Sequence, residues 1–448
     1  MNREELSAIL QQNGIVGAGG AGFPTYAKLS GEIKTIILNC AECEPLLKLH
    51  RQLLEKYADE ILKTFYQIGQ VVGAAEMIIG IKKAYQKTIK ALQSFLPQYP
   101  NMRLGLLEEV YPVGDEVVLI YETTGKVVKP GGLPIQSQVA VFNVETVYNA
   151  YLALAKEKPV TDKIISVVGE VHQPITARIP IGCTMEEVVA LAGGSKIPNP
   201  VYFIGGPMMG SVGEKSQPVS KTTNAILVLP ENHLLVQRKR SNSSIDLKRA
   251  AAACCQCSMC TDLCPRNLLG HSIRPDAFMR AATCKDIQDP QIFLDSMFCS
   301  SCGLCELYSC MQGLSPRSLL AEYKQGLQKQ GVRPPKDTVP RPVGPEREYR
   351  KVPMKRLMAR LDLTKYDAEA PLDEKKITVW RVKILLRQHI GSPAIPVVKP
   401  GDHVWNGQVI AAPDTGLSVA VHASIEGKIV DVNEKYVIIE QSGRTYES

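Results

Sequence analysis

The sequence predicts an α/β multi-domain chain, and three observations carry that expectation. Apolar strands alternate with helical stretches from Thr35 to Leu107, eight of the thirteen cysteines fall in two short runs, and residues 375–448 turn to short β segments punctuated by glycine. A length of 448 residues fits three or four domains at roughly 150 residues each.

The elements follow in chain order. Residues 1–13 read as an amphipathic helix with Leu6, Ile9 and Leu10 on one face. Gly17-Ala18-Gly19-Gly20-Ala21-Gly22-Phe23-Pro24-Thr25 is the most glycine-dense stretch of the chain. A strand is expected at Thr35–Leu38, ending in Asn39-Cys40-Ala41-Glu42-Cys43-Glu44-Pro45. Leu54, Ala58, Ile61, Phe65, Ile68 and Val72 recur at helical spacing, so one long helix is expected from about Leu49 to Val72. Glu76–Ile81 reads as a strand, Ala84–Phe95 as a helix and Arg103–Leu107 as a third strand. That alternation is the grammar of a parallel sheet, whose ligands bind at the carboxyl ends of strands, where Asn39–Pro45 falls.

From Lys163 to Gly194 the pattern suggests a compact β-grasp-like module. Its helix, Thr184–Leu191, starts on a capping box of Thr184 and Glu187. Strands return over 201–230 around Gly205-Gly206-Pro207-Met208-Met209-Gly210. Residues 245–333 hold the cysteine runs, and 334–374, whose start over 334–349 is charged and proline-rich, reads as a linker. In the final domain, Val397–Ile410 has the V-x-x-G-D-x-V-x-x-G-Q form of biotinyl and lipoyl carrier domains. The corresponding hairpin tip, Pro413-Asp414-Thr415-Gly416, has no attachment lysine, so a docking or structural role is expected.

The cysteine spacing speaks to chemistry. Cys254, Cys257, Cys260 and Cys264, followed by Pro265, read C-x2-C-x2-C-x3-C-P, and Cys299, Cys302, Cys305 and Cys310 read C-x2-C-x2-C-x4-C. Three thiolates at successive three-residue steps can hold one 4Fe–4S cube, with the fourth cysteine crossing over to the other cube. The expected sets are therefore Cys254, Cys257, Cys260 with Cys310, and Cys299, Cys302, Cys305 with Cys264. Structural zinc, which C-x2-C pairs also bind, is the alternative. The second run has an extra residue before Cys310, and Met311 stands where proline is usual. Cys255 and Cys284 are left over near the runs, and Cys40 with Cys43 makes a separate C-x2-C pair.

Composition bounds partners and compartment. No apolar stretch approaches the ~20 residues that span a bilayer, and Met1–Glu5 lacks the form of a signal peptide. Cysteines that hold clusters need a reducing compartment, so a cytoplasmic location is expected. A net charge of +7 is mild, and Arg238-Lys239-Arg240 sits in a Ser/Asn-rich connector, so no nucleic-acid partner is expected.

On residue chemistry alone, the glycine loop could be a plain connector or a cradle for a phosphate or flavin, since no strand precedes it as in a dinucleotide fingerprint. Resemblance adds to this. Gly19–Thr25 resembles the G-G-A-G-F-P-T loop shared by the FMN-binding subunit of respiratory complex I, the Rnf C subunit and PduS-like cobalamin reductases. Asn39–Pro45, Tyr111-Pro112-Val113-Gly114-Asp115-Glu116, Asn143-Val144-Glu145-Thr146 and Gly205–Gly210 resemble further motifs of this group. The carrier-like barrel at the C-terminal end resembles the PduS-like order, because the Rnf C subunit has it first.

The resemblance implies a Rossmann-like FMN-binding domain over 1–160, an SLBB β-grasp module over 161–240, a ferredoxin-like dicluster domain over 245–333 and a lipoyl-like barrel-sandwich hybrid over 375–448. It implies FMN against Gly17, Gly19, Gly20 and Gly22, with Asn39, Gly114, Asp115, Glu116, Asn143 and Thr146 around it. Lys28 would neutralise flavin charge and Phe23 would stack on a ring. Glu42 and Glu44 would line a nicotinamide-nucleotide pocket. Each has a plainer reading: helix caps for Asn143 and Thr146, solvated charges for Glu42, Glu44 and Lys28, a loop anchor for Phe23. The implied activity is NADH-driven reduction of cobalamin for an adenosyltransferase, in the cytoplasm or a bacterial microcompartment, within a complex or oligomer. An Rnf-C-like module feeding a partner redox enzyme, and a wiring subunit that binds no NADH, are the alternatives.

Overall fold

The computed structural model describes residues 1–240, 242–284, 289–335, 338–375 and 377–441. Four parallel strands form the first sheet, in the order Met102–Leu107, Glu76–Lys82, Thr35–Cys40, Val139–Asn143. Chain order reverses beside Thr35–Cys40, so the crevice between it and Val139–Asn143 is the topological switch point, where open α/β sheets bind ligands. The helix Arg3–Gln12 buries Leu6 and Leu10, and the glycine loop runs from it without an intervening long strand.

The single helix expected from Leu49 to Val72 is two, Leu49–Lys56 and Ala58–Val72. All six spaced apolar residues are buried, as their helical spacing requires. The break is at Tyr57, with φ −124° and ψ 37°. Its hydroxyl donates to the Glu374 carboxylate and its ring packs 4.7 Å from that of Tyr148. A partner 317 residues away turns the chain there.

The β-grasp expectation is met by a six-stranded mixed sheet that includes Asp162–Gly169, Ile175–Pro180, Ala225–Leu229, Val201–Ile204 and Ser211–Gly213. The Thr184 capping box is present. A fully buried Lys163–Glu145 ion pair joins this module to the helix Val144–Lys156 of the first domain.

The segment read as a linker is folded. Val352–Pro353 pairs with Val110–Tyr111, Met354–Arg360 is a helix, and Leu372–Asp373 adds the sixth strand beside Ile175–Pro180. Leu357, Leu361 and Leu363 are fully buried. Even the proline-rich start is stitched to the stretch that follows Cys264, through Arg341 N–H to Gly270 and Gly344 N–H to Leu268. Proline and charge at 334–349 mask, in the sequence, the apolar spacing of Leu357, Leu361 and Leu363 that follows.

The C-terminal domain is two small antiparallel sheets of short strands, as a barrel-sandwich hybrid requires. Its lysine-free tip faces the first domain. Tyr26 Oη donates to Gly416 at 3.1 Å, and Gln11 Nε2 to Ser418 at 3.1 Å.

Candidate flavin and iron–sulfur sites

Strand register builds the first site. Asn39 and Asn143 are paired neighbours at the carboxyl ends of the two strands flanking the switch point. Asn39 Nδ2 donates to Gly114 O at 3.0 Å, which brings in the Gly114-Asp115-Glu116 loop. Asn143 caps the helix Val144–Lys156 by accepting from Glu145 N–H. Its Nδ2 lies 3.0 Å from His50 Nε2. Thr146 Oγ1 accepts from Ala18 N–H at 2.9 Å and so pins the glycine loop onto this helix.

Within the loop, Gly17 N–H bonds Phe23 O, which closes the turn, and Phe23 is half-buried. A Cβ on Gly19 would lie 2.2 Å from Asn143 Nδ2, whereas one on Gly20 would meet open space. Gly22 has φ +75°, and its back lies against Gln388 and His389 of the barrel. Gly19 and Gly20 are exposed, so their backbone faces the crevice mouth with no side chain in the way. Lys28 Nζ donates to Val141 O at 2.7 Å and pairs with Glu116 at 3.4 Å. The structure thus brings Gly17, Gly19, Gly20, Gly22, Phe23, Lys28, Asn39, Gly114, Asp115, Glu116, Asn143 and Thr146 to one end of the sheet.

Glu42 and Glu44 are placed differently from solvated charges. Glu42 accepts from His50 N–H at 2.7 Å and pairs with Arg51 at 3.5 Å, so it caps the helix Leu49–Lys56. Glu44 accepts from Met208 and Met209 N–H at 2.8 and 3.0 Å and anchors the Gly205–Gly210 loop. Burial raises the Glu44 carboxyl above its usual value, with those two N–H donors opposing the shift. Desolvation pushes the Cys43 thiol up to about 12 and raises that of the fully buried Cys40, so both behave as protonated side chains.

His50 was missed in the sequence, where the histidines look scattered. Burial lowers its pKa, and its Nδ1 is a buried polar atom without a partner. A neutral imidazole beside Asn143, an exposed glycine backbone and a nearby lysine suit the polar edge and ribityl phosphate of a flavin.

The eight cysteines fall into the two crossed sets. Cys254, Cys257, Cys260 and Cys310 line one cavity with Asp276, Met279 and Leu314. Burial pushes the Cys260 thiol up to about 12, and Asp276, Cys310, Cys254 and Cys257 add to the effect. In the other set, burial pushes Cys264 up to about 11 and raises Cys302 and Cys305 further, with the mutual proximity of Cys264, Cys299, Cys302 and Cys305 contributing. Thiols so costly to ionise become ligands only when iron stabilises the thiolate. Among the described residues, no three His, Cys, Asp or Glu side chains converge closely enough to hold a single ion. Four thiols around a cavity suit a 4Fe–4S cube, with one thiolate on each iron, better than tetrahedral zinc.

The extra residue before Cys310 is absorbed locally. Cys305–Ser309 is a π-turn in which Cys310 N–H bonds Cys305 O at 3.1 Å. The wider turn takes up one residue and leaves Cys310 facing the first set. Cys255 is exposed beside that set, and Cys284 is exposed at the end of the helix Pro275–Thr283.

The sets differ in surroundings. Cys257 and Met311 are exposed, so the Cys254–Cys257–Cys260–Cys310 set lies at the surface. The other set adjoins the flavin-site loop: Tyr111 Oη donates to Cys302 O at 2.5 Å, and Arg266 Nη2 to Asp115 Oδ2 at 2.9 Å.

Comparison with known proteins agrees with this geometry. The model of the Nuo51 FMN-binding domain matches residues 10–152, that of the 4Fe-4S dicluster domain residues 253–315, and that of the RnfC barrel sandwich hybrid domain residues 365–445. Fold and site together define an oxidoreductase that carries FMN and 4Fe–4S centres and transfers electrons between them. Cobalamin reductase PduS of Citrobacter freundii is 41% identical over 431 residues, covering 95% of this chain and 94% of that one. Its counterpart in Salmonella typhimurium is 39% identical over 444 residues, covering 98% and 97%. The chain belongs to the PduS cobalamin reductase family. Among solved structures, an NAD+-reducing [NiFe]-hydrogenase in the H2-reduced state aligns at 21% identity and a TM-score of 0.49, over 76% of this chain and 64% of that one, a likeness that says nothing about activity.

Proposed function

We propose that this chain oxidises NADH and delivers the electrons one at a time to cobalamin, through two 4Fe–4S centres. The observation that carries the reading is continuity: the switch-point crevice, the Gly114-Asp115-Glu116 loop, Arg266 and the Cys264–Cys299–Cys302–Cys305 set form one connected path. When bound, FMN supplies two-electron acceptance and one-electron release, and each 4Fe–4S centre takes one electron.

The chain's own residues bind and orient. The exposed glycine backbone and the N-terminus of the helix Val144–Lys156 favour the flavin phosphate. Lys28, held by Val141 O, places a cation beside Glu116. Glu42 and Glu44 support the reading by shaping the pocket wall rather than by presenting free carboxylates. The surface-facing cysteine set is the natural exit to an acceptor. No described helix is long and apolar enough to cross a membrane, and reduced ligand cysteines fit a cytoplasmic setting or a microcompartment interior.

The match to the RnfC barrel favours a second reading, an electron-input module serving a partner redox enzyme. An anaerobic NADH titration of the reconstituted protein, followed by visible absorption and EPR, with cob(II)alamin added last, separates them. Flavin bleaching, a reduced-cluster signal and then cob(I)alamin are expected. Bleaching without cob(I)alamin favours the module, and no bleaching at full FMN and iron loading sinks NADH as donor.

A further inference from the structure

Arg266 occupies a place that neither the glycine loop nor the cysteine spacing explains. It follows Cys264-Pro265 in the short helix Pro265–Leu268. Its Nη2 donates to Asp115 Oδ2 at 2.9 Å, and the two side chains are 16% and 13% exposed. Asp115 is itself fixed, because its other oxygen caps the helix Glu116–Thr124 through Val117 and Val118 N–H. Arg266 Nε is buried and has no partner. Burial opposes the guanidinium's charge, while Asp115 and then Cys302 and Cys264 favour it. An arginine stays cationic in such surroundings.

We propose that Arg266 is a positioning residue that couples the flavin-site loop to the Cys264–Cys299–Cys302–Cys305 set and raises the reduction potential of the centre held there. This rests on the cluster part of the proposed function and on neither NADH nor cobalamin. An added electron makes the centre more negative, so a fixed buried cation favours the reduced form. Asp115 holds the guanidinium and partly offsets its charge. The two ends of the pair therefore act on the potential with opposite signs. At the outer set, Arg274 and Arg280 are about half exposed and both bound to Asp276, so solvent and that carboxylate mute them.

The test is an EPR-monitored redox titration of the full chain, poised with dithionite and mediators. A background carrying Cys254→Ser and Cys257→Ser isolates the inner centre's signal. Arg266→Gln is expected to lower the reduced-to-oxidised ratio at fixed potential about tenfold, or ~59 mV for one electron. Asp115→Asn is expected to shift the midpoint upward, and Arg266→Lys to stay near the parent. An unchanged midpoint in Arg266→Gln with iron content intact overturns the proposal. So do shifts of one sign in both variants, or a shift confined to the outer centre. If Arg266→Gln fails to assemble the centre, the sign of the Asp115→Asn shift decides. A parent chain without any iron–sulfur signal ends the cluster reading itself, whereas failure to react with NADH leaves the titration valid.

Discussion

Lys221 is almost fully buried where three parts of the chain meet. Its Nζ donates to Gly14 O of the first domain at 2.7 Å and to Ala420 O of the barrel at 3.0 Å. Burial brings its pKa down from 10.5 to about 7. The neighbouring titratable groups, His389 and His422, are themselves held neutral, chiefly by burial and then by Lys221. Unfolded, the amine keeps its proton up to about pH 10.5. Stability therefore rises with pH between about 7 and 10.5, and below 7 this contribution is flat at its lowest. Lys221→Met should remove the slope: the Tm of the parent should gain on that of the variant as pH goes from about 7 to about 9. Gly19 is the counterpart whose importance could be read beforehand. Gly19→Ala puts a methyl group 2.2 Å from Asn143 Nδ2, and FMN affinity should fall about tenfold or more by fluorescence titration, with little change in fold. A glycine-dense loop announces itself in one dimension. A buried lysine, or the unpaired Nδ1 of His50, does not, because distant segments create the burial.

At the scale of elements, local chemistry was legible and long-range interruption was not. Thr184 and Glu187 announce a helix start three residues apart, and the box forms as read. The break at Tyr57 depends on Glu374 and Tyr148, which no window of neighbouring residues contains. The folded stretch at 352–373 was hidden for the same reason, since its strands find partners at Val110–Tyr111 and Ile175–Pro180. The two N-caps allow a comparison. Thr184→Ala and Asn143→Ala should each cost about 1 kcal/mol of stability in denaturant unfolding. Only Asn143→Ala should also weaken FMN binding, because that cap alone stands at the switch point beside Gly19.

For the whole molecule, the cysteine framework was the most readable feature, since ligand spacing is strict wherever the turn lies. Its crossed arrangement gives a sharp expectation. Cys310→Ser should remove roughly half the iron and the signal of the outer centre, leaving the inner one, although Cys310 belongs by sequence to the second run. Iron analysis with EPR checks this, and loss of the inner signal instead would reverse the assignment. Less readable was how the domains close on one another. Gly22 rests against Gln388 and His389, and Gln11 and Tyr26 bond residues 416–420, some 390 to 409 positions further along the chain. During synthesis, the glycine loop leaves the ribosome early and then waits for its back wall until the barrel has emerged. A nascent chain halted before Gln388 therefore presents a glycine loop that rests on Thr146 and Thr222 but still lacks the barrel part of its back wall.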